Sequence, residues 1–165
     1  MRRSDEYEKA LQIATSAHNG QKCWYGEDYI THPVTVSGLC KTERGKIAAL
    51  LHDVVEDTHV TLDDLRAAGI GEDVVVAVDR LTKRKEEKTE DYHKRVTSSD
   101  IAIEVKFADM RHNSDMSRIP PENHDLAVAT NKKYRDRAEQ LMLLIGNERA
   151  KELMTEETYE WFKGP

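Results

Sequence analysis

Residues 47–57 read Ile47-Ala48-Ala49-Leu50-Leu51-His52-Asp53-Val54-Val55-Glu56-Asp57, and two patterns run through them at once. At about 100° per residue, Ile47, Leu50, Leu51, Val54 and Val55 share one apolar arc. His52, Asp53, Glu56 and Asp57 share a second arc that does not overlap the first. Ala49 lies inside that second arc and is small enough to let something approach. A surface helix with a solvated acidic face is the plain alternative. Three features weigh against it. No Lys or Arg lies on the arc to balance its carboxylates. Ala48 to Leu51 form an unbroken apolar run, as in a buried helix. Adjacent His and Asp also supply a nitrogen and an oxygen ligand from one turn, a donor set suited to a divalent metal.

Working outward, the chain reads as helices joined by short polar loops, so the fold class expected is all-α with about eight to nine helices. Ser4 can cap a first helix bearing Tyr7, Ala10, Leu11, Ala14 and Ala17 on one stripe. Gly20 to Thr31 is a loop, and Pro33 suits the first turn of a short second helix. The helix quoted above runs from about Gly45 to about Asp57 as the third. Thr61 with Asp64 gives a capping box for the fourth, and Gly69 stops it. A fifth passes through Val74, Val75, Val78 and Leu81. Thr89 starts a short sixth, a seventh covers about Asp100 to Asn113, and Pro120-Pro121 break the chain. A long eighth carries Tyr134, Ala138, Leu141, Met142 and Ile145, and a ninth lies near Thr155 to Phe162. Ile101, Ile103, Val105 and Phe107 alternate with Ala102, Glu104 and Lys106, the period of a strand. With no convincing strand to pair with, a helix is predicted there.

That seventh helix carries Asp109, flanked on the wheel by Ile101, Ala102, Val105 and Ala108. A carboxylate aimed at the core needs a partner, because unpaired burial costs several kcal/mol or forces protonation. A metal answers that need, and so does a salt bridge to Lys106 or Arg111. Asn113 lies one turn on, on the same face, and can offer an amide to a substrate. His32 precedes Pro33 at a helix start. Alone it reads as a cap or a surface residue, and it gains meaning as a metal ligand only beside His52, Asp53 and Asp109.

Bulk properties narrow the class. The 165 residues suffice for one sizeable core. A net charge of −6 argues against a nucleic-acid coat, which needs a basic face. No apolar run approaches a membrane span, and the charged N-terminus does not read as a signal peptide. Cys23 and Cys40 have no metal-type spacing, so two reduced thiols in a cytoplasmic protein are expected. The expected partner is a small phosphorylated nucleotide, with no nucleic acid and no membrane; the oligomeric state is open.

His32, then His52-Asp53, then Asp109 resembles the H…HD…D order of the HD phosphohydrolase superfamily. The flanking words are more specific. Ala17-His18-Asn19-Gly20-Gln21 and Gly26-Glu27-Asp28-Tyr29-Ile30-Thr31-His32-Pro33 are similar to the opening of the RelA/SpoT-type (p)ppGpp hydrolases. Ala49 to Thr58 resembles their ALLHDVVEDT segment, Leu81-Thr82-Lys83 their TK turn, and Val105 to Asn113 their KLADxxHN motif. The likeness covers roughly Glu8 to Asn113, and the length resembles the small stand-alone hydrolases. It implies a single HD hydrolase domain over residues 1–165 and an all-helical bundle. It implies one Mn²⁺ held by His32, His52, Asp53 and Asp109. It implies Glu56 and Asp57 as the pair that orients or deprotonates water, and Asn113 near the ribose. The implied reaction removes the 3′-diphosphate from guanosine tetra- or pentaphosphate and releases pyrophosphate.

Two departures touch the substrate pocket. Where the family places a basic pair after Gln21 and one variable residue, this chain has Cys23 and Trp24, followed by Tyr25. After Asn113 it has Ser114-Asp115-Met116 in place of Met-Arg-Thr. Trp24 or Tyr25 either stacks on a base or packs on the core. Positive charge for a diphosphate is sought among Lys22, Lys83, Arg84, Lys85, Lys106 and Arg111, although Lys83 to Lys85 also reads as a solvated loop balanced by Glu86 and Glu87. Mixed nitrogen and oxygen ligation without thiolate favours Mn²⁺, with Fe²⁺, Ni²⁺, Mg²⁺ or Zn²⁺ as other occupants. His112 is expected to support a ligand rather than be one. Two rival functions remain open: an HD-fold nucleotide or dinucleotide phosphomonoesterase, and a nucleotide-binding HD domain without turnover.

Overall fold

The structure, a computed structural model, describes residues 4–164. Eleven α-helices follow one another there: α1 (Asp5–Ala17), α2 (Thr31–Leu39), α3 (Glu43–Leu51), α4 (Val54–Asp57), α5 (Leu62–Ala67), α6 (Glu72–Leu81), α7 (Thr89–Val96), α8 (Asp100–Ser114), α9 (His124–Ile145), α10 (Asn147–Leu153) and α11 (Glu156–Lys163). Two 3₁₀ turns, Met116–Arg118 and Pro121–Asn123, join α8 to α9. The described residues contain no strand beyond an isolated bridge between Lys22 and Asp28. The all-α expectation holds, with two helices more than the upper count expected. One is α10, which Gly146 separates from α9 by a backbone φ of 86°. The other arises because the helix expected over 45–57 is interrupted at His52 and Asp53.

That interruption is local and physical. Asp53 has φ −103° and ψ −5°, the edge of the helical region. The His52 N–H reaches back only three residues, to the Ala49 carbonyl at 3.5 Å. The apolar arc nevertheless lies where the wheel put it. Ile47, Ala48, Ala49, Leu50, Leu51 and Val54 are fully buried. The break therefore turns His52, Asp53 and the following carboxylates without lifting the apolar residues out of the core.

Helix α8 is the axis of the molecule and packs against α2, α3, α6, α7, α9, α10 and α11. Ala102, Ile103, Val105, Phe107, Ala108 and Met110 are all buried. A helix covered on nearly every side has no polar face to set a 3.6-residue period. This is why residues 101–107 alternate like a strand in sequence and fold as a helix. Its N-terminus is capped by Ser99, whose Oγ accepts from the Ala102 N–H.

Buried Glu104 fixes α8 to α3. Its carboxylate accepts from the backbone N–H of Lys41 at 2.5 Å and of Thr42 at 2.7 Å, and from the Thr42 hydroxyl at 2.7 Å. Thr42 Oγ1 in turn accepts from Gly45 N–H, capping α3. A Cβ at Gly45 would meet the Glu104 carboxyl at 2.5–2.6 Å, so close approach is what a glycine permits here. Helices α2, α3 and α8 are thereby locked side by side, and each delivers one part of the site.

Candidate active site

The ligand-type side chains converge from three elements. His32 comes from the first turn of α2, His52 and Asp53 from the break after α3, and Asp109 from the middle of α8. His32, His52 and Asp109 each present a donor atom within 4.8 Å of the others. Asp109 Oδ1 lies 3.0 Å from His32 Nε2 and 3.5 Å from His52 Nε2. Asp53 Oδ2 lies 3.0 Å from His52 Nε2 and 3.6 Å from His32 Nε2. Two cis ligands with bonds of about 2.1 Å to one ion stand about 3 Å apart. The spacing fits a shared cation.

Tautomers support the same reading. His52 Nδ1 donates to the Ala49 carbonyl at 2.6 Å, which leaves Nε2 as a lone pair facing the cluster. That Nε2 is buried and has no hydrogen-bond partner: the carboxylates are near it but not in line. An orphaned imidazole nitrogen between two carboxylates is what a divalent metal would satisfy. His32 Nδ1 sits 2.7 Å from His112 Nδ1, with the two rings stacked at 5.0 Å. Burial, then the nearby Arg118 charge, pushes His112 down to about 3, so it is neutral at ordinary pH. The His32 tautomer that donates from Nδ1 to His112 is the one that would present a free Nε2 to the cluster. His112 thus meets the cluster through His32 and is not among the residues grouped around it.

The carboxylates are held as firmly. Asp109 accepts from Lys106 Nζ at 3.0 Å and from Asn113 Nδ2 at 2.9 Å. Burial alone would raise its pKa; Lys106 and the imidazoles outweigh that and keep it well below the usual carboxylate range. Both partners considered for Asp109 are thus present together, a lysine and a metal-type cluster. Arg111 is not involved, for it turns away to Glu157 at 2.6 Å and Thr158 at 3.1 Å. Lys106 also sits 5.3 Å above the Tyr92 ring. Asp53 accepts from the Tyr29 hydroxyl at 2.5 Å. Tyr29 stands inside the words read from the sequence, but no role was assigned to it there.

Glu56 and Asp57 follow on α4 and are open to solvent. Partial burial, then the Asp53 charge, raises both carboxyls above their ordinary values. Glu56 also faces the Lys83 backbone N–H and the Lys106 ammonium.

Above the cluster opens a cavity of 520 Å³, lined by Trp24, Tyr25, Tyr29, Asn113, Arg118 and Tyr134 besides His32, Asp53 and Asp109. Trp24 is 62% exposed, so it does not pack on the core. Tyr25 lies edge-on to Trp24 at 5.3 Å. Of the cations considered in the sequence, only Lys22 lines this cavity, and it is paired with Asp28. Arg118 is the one the sequence reading missed. It lies in a 3₁₀ turn beyond Asn113, where no periodicity marks it. Its Nη2 donates to the Tyr25 hydroxyl at 2.5 Å, and its Nη1 to the His112 carbonyl at 3.0 Å and Asn113 Oδ1 at 3.3 Å. His93, given no role on a polar segment, is in fact only 2% exposed. Cys23 and Cys40 are free thiols, as expected. No helix among the described residues is long and apolar enough to cross a membrane.

A helical bundle that gathers two histidines and two aspartates in this order defines a class of metal-binding domain. The chain belongs to the HD-domain family, whose profile matches residues 10–112. It is similar to the bifunctional (p)ppGpp synthase/hydrolase SpoT of Escherichia coli K12, with 36% identity over 120 residues, covering 64% of this chain and 17% of that protein. It is also similar to the guanosine-3′,5′-bis(diphosphate) 3′-pyrophosphohydrolase of Borreliella burgdorferi, with 34% identity over 145 residues, covering 76% of this chain and 22% of that protein. The chain thus spans a small part of the length of these relatives. A solved structure described as a metazoan ortholog of SpoT that hydrolyzes ppGpp superimposes with a TM-score of 0.64 at 25% identity, covering 88% of this chain and 98% of that one.

Proposed function

We propose that the chain is a metal-dependent hydrolase that removes the 3′-diphosphate from guanosine 3′,5′-bis(diphosphate)-type nucleotides and releases pyrophosphate. The observation that carries this reading is the orphaned, buried His52 Nε2, set beside His32, Asp53 and Asp109, three residues that line a 520 Å³ cavity. The activities for which these relatives are named point the same way. His32, His52, Asp53 and Asp109 would hold one divalent ion, and Mn²⁺ is the occupant we favour. Such an ion, when bound, withdraws charge from phosphate oxygens and lowers the pKa of water.

The chain's own residues divide the remaining work. Glu56 takes the proton of the attacking water on its carboxylate, and Asp57 orients that water. Partial burial and the neighbouring Asp53 charge raise both carboxyl pKa values, which makes both stronger bases. Water oxygen bonds to the phosphorus attached to ribose O3′, the P–O3′ bond breaks, and the proton returns to O3′. Lys106 and Tyr29 keep Asp109 and Asp53 in place through the cycle. Asn113 lies beside the ribose, and Trp24 and Tyr25 offer faces for the base. The substrate would come from the cytoplasmic nucleotide pool.

The deciding experiment incubates Mn²⁺-loaded protein with a panel of nucleotides and assays both released phosphates. Pyrophosphate in step with loss of guanosine tetraphosphate is the expected result. Orthophosphate from phosphomonoesters would make the chain a phosphomonoesterase instead. Tight binding of the tetraphosphate without cleavage would make it a sensor.

A further inference from the structure

A substrate with phosphate at both ends of its ribose presents two anions, and the metal cluster accounts for one. The other needs a cation elsewhere in the cavity. Among the described residues lining it, the cationic side chains are Lys22 and Arg118, leaving aside the imidazoles. Lys22 is neutralised by Asp28, outside in the loop. Among the described residues, Arg118 has no carboxylate within ion-pairing distance, only the neutral oxygens of Tyr25, His112 and Asn113. Of its five N–H donors, three are engaged; one Nη2 proton is uncommitted and the Nε–H is buried without a partner. Its guanidinium lies 5.7 Å from the Tyr25 ring centroid, which holds it in place. It also stands between two cavities, for Tyr25, Arg118 and Ile119 line both the 520 Å³ space and a neighbouring one of 570 Å³. A single side chain, Asn113, joins it to the cluster, donating to Asp109 and accepting from Arg118.

From this we infer that Arg118 sets substrate choice by holding the phosphate remote from the scissile bond, so that nucleotides phosphorylated at both 3′ and 5′ positions are preferred over those with a 3′-diphosphate alone. The inference rests on the hydrolase reading above. Arg118 replaces, from a different loop, the positive charge absent at Cys23 and Trp24. A guanidinium suits this task because its paired donors match phosphate oxygens.

The test compares guanosine 3′,5′-bis(diphosphate) with guanosine 3′-diphosphate bearing a free 5′-hydroxyl, using full-length Mn²⁺-loaded protein. The readout is the ratio of kcat/KM between the two, in wild type, Arg118→Ala and Arg118→Lys. Arg118→Ala is expected to cut the preference about ten- to a hundredfold, chiefly through KM, as loss of a charge-assisted contact would. Arg118→Lys keeps the charge without the fork and should recover part of it, and it serves in place of the alanine variant should that one not fold. An unchanged ratio in both variants would overturn the assignment. So would an equal loss for both nucleotides, which would mean that Arg118 only props up Tyr25. Calorimetric titration of the same two nucleotides reads the preference without turnover. Binding that depends on Arg118 with no cleavage would therefore sink the hydrolase reading and leave this one standing.

Discussion

Asp109 is asked to do two things, and one substitution should remove both. It supplies an oxygen to the cluster and it neutralises buried Lys106. Asp109→Ala is expected to lose bound metal and activity together, and also to destabilise the fold by about 3–5 kcal/mol, because a buried ammonium is left without its partner. Glu56→Gln should behave differently. It leaves His32, His52, Asp53 and Asp109 in place, so elemental analysis should find wild-type metal while kcat falls about 10²–10⁴-fold. A Glu56→Gln protein with undiminished kcat would remove Glu56 from the role of base. His112 makes a third case. It does not line the cavity, yet its Nδ1 lies in hydrogen-bond contact with His32 Nδ1. His112→Phe should keep the stacked ring and lose the hydrogen bond, weakening metal affinity about 10–100-fold in a chelator competition; unaltered affinity would mean that the contact is packing alone. The convergence of His32, His52, Asp53 and Asp109 was legible in the sequence from their H…HD…D order, and for Asp109 also from the cost of burying a carboxylate without a partner. Arg118 was not, since it reaches the cavity from an irregular turn and joins Tyr25 across a separation of 93 residues.

At the scale of helices, local rules explain starts better than interiors. Ser4, Thr42, Thr61, Ser99 and Thr155 each accept from a backbone N–H in the first turn of a helix, and short polar residues before apolar periodicity are readable. The interior of α8 was less readable, because burial on nearly all sides erases the contrast that period analysis needs. The break at His52-Asp53 left no mark in the sequence either. Nothing there is a Gly or Pro, and the interruption follows from the His52 side chain taking the Ala49 carbonyl that a continuing helix would use. The junction of α3 with α8 gives the sharpest test at this scale. Gly45→Ala would drive a methyl to 2.5 Å from the Glu104 carboxyl, which is pinned by two backbone N–H groups and a hydroxyl. We expect a loss of about 1–3 kcal/mol in urea unfolding. A wild-type midpoint would show that Glu104 can move aside, and the rigid seating of α3 on α8 would then be wrong.

For the molecule as a whole, acid should be the condition that loosens it, and two groups outside the cluster say where. His93 on α7 is buried and surrounded by the charges of Lys106, Arg137 and Lys83; burial first, then those cations, brings it down to about 4. The unfolded chain takes up this proton near its ordinary value of 6.5, before the folded one does. The stability associated with neutral His93 is therefore complete above about pH 6.5 and is lost as pH falls through that value toward 4. Glu87 acts in a lower window. Its hydrogen bonds from Arg95, at 2.6 Å to Nε and 2.9 Å to Nη2, hold it down to about 2. Its contribution is complete above about pH 4.5 and disappears as pH falls from there toward 2. These windows adjoin, so the urea midpoint should decline from pH 6.5 downward and continue declining below pH 4.5. His93→Gln separates them. Replacing the imidazole with a neutral amide should flatten the curve between pH 6.5 and 4.5 and leave the lower decline in place. If the variant and wild type fall in parallel through the upper window, His93 is not the group that titrates there, and the cation-lined seat between α7, α8 and α9 does not govern the response to acid.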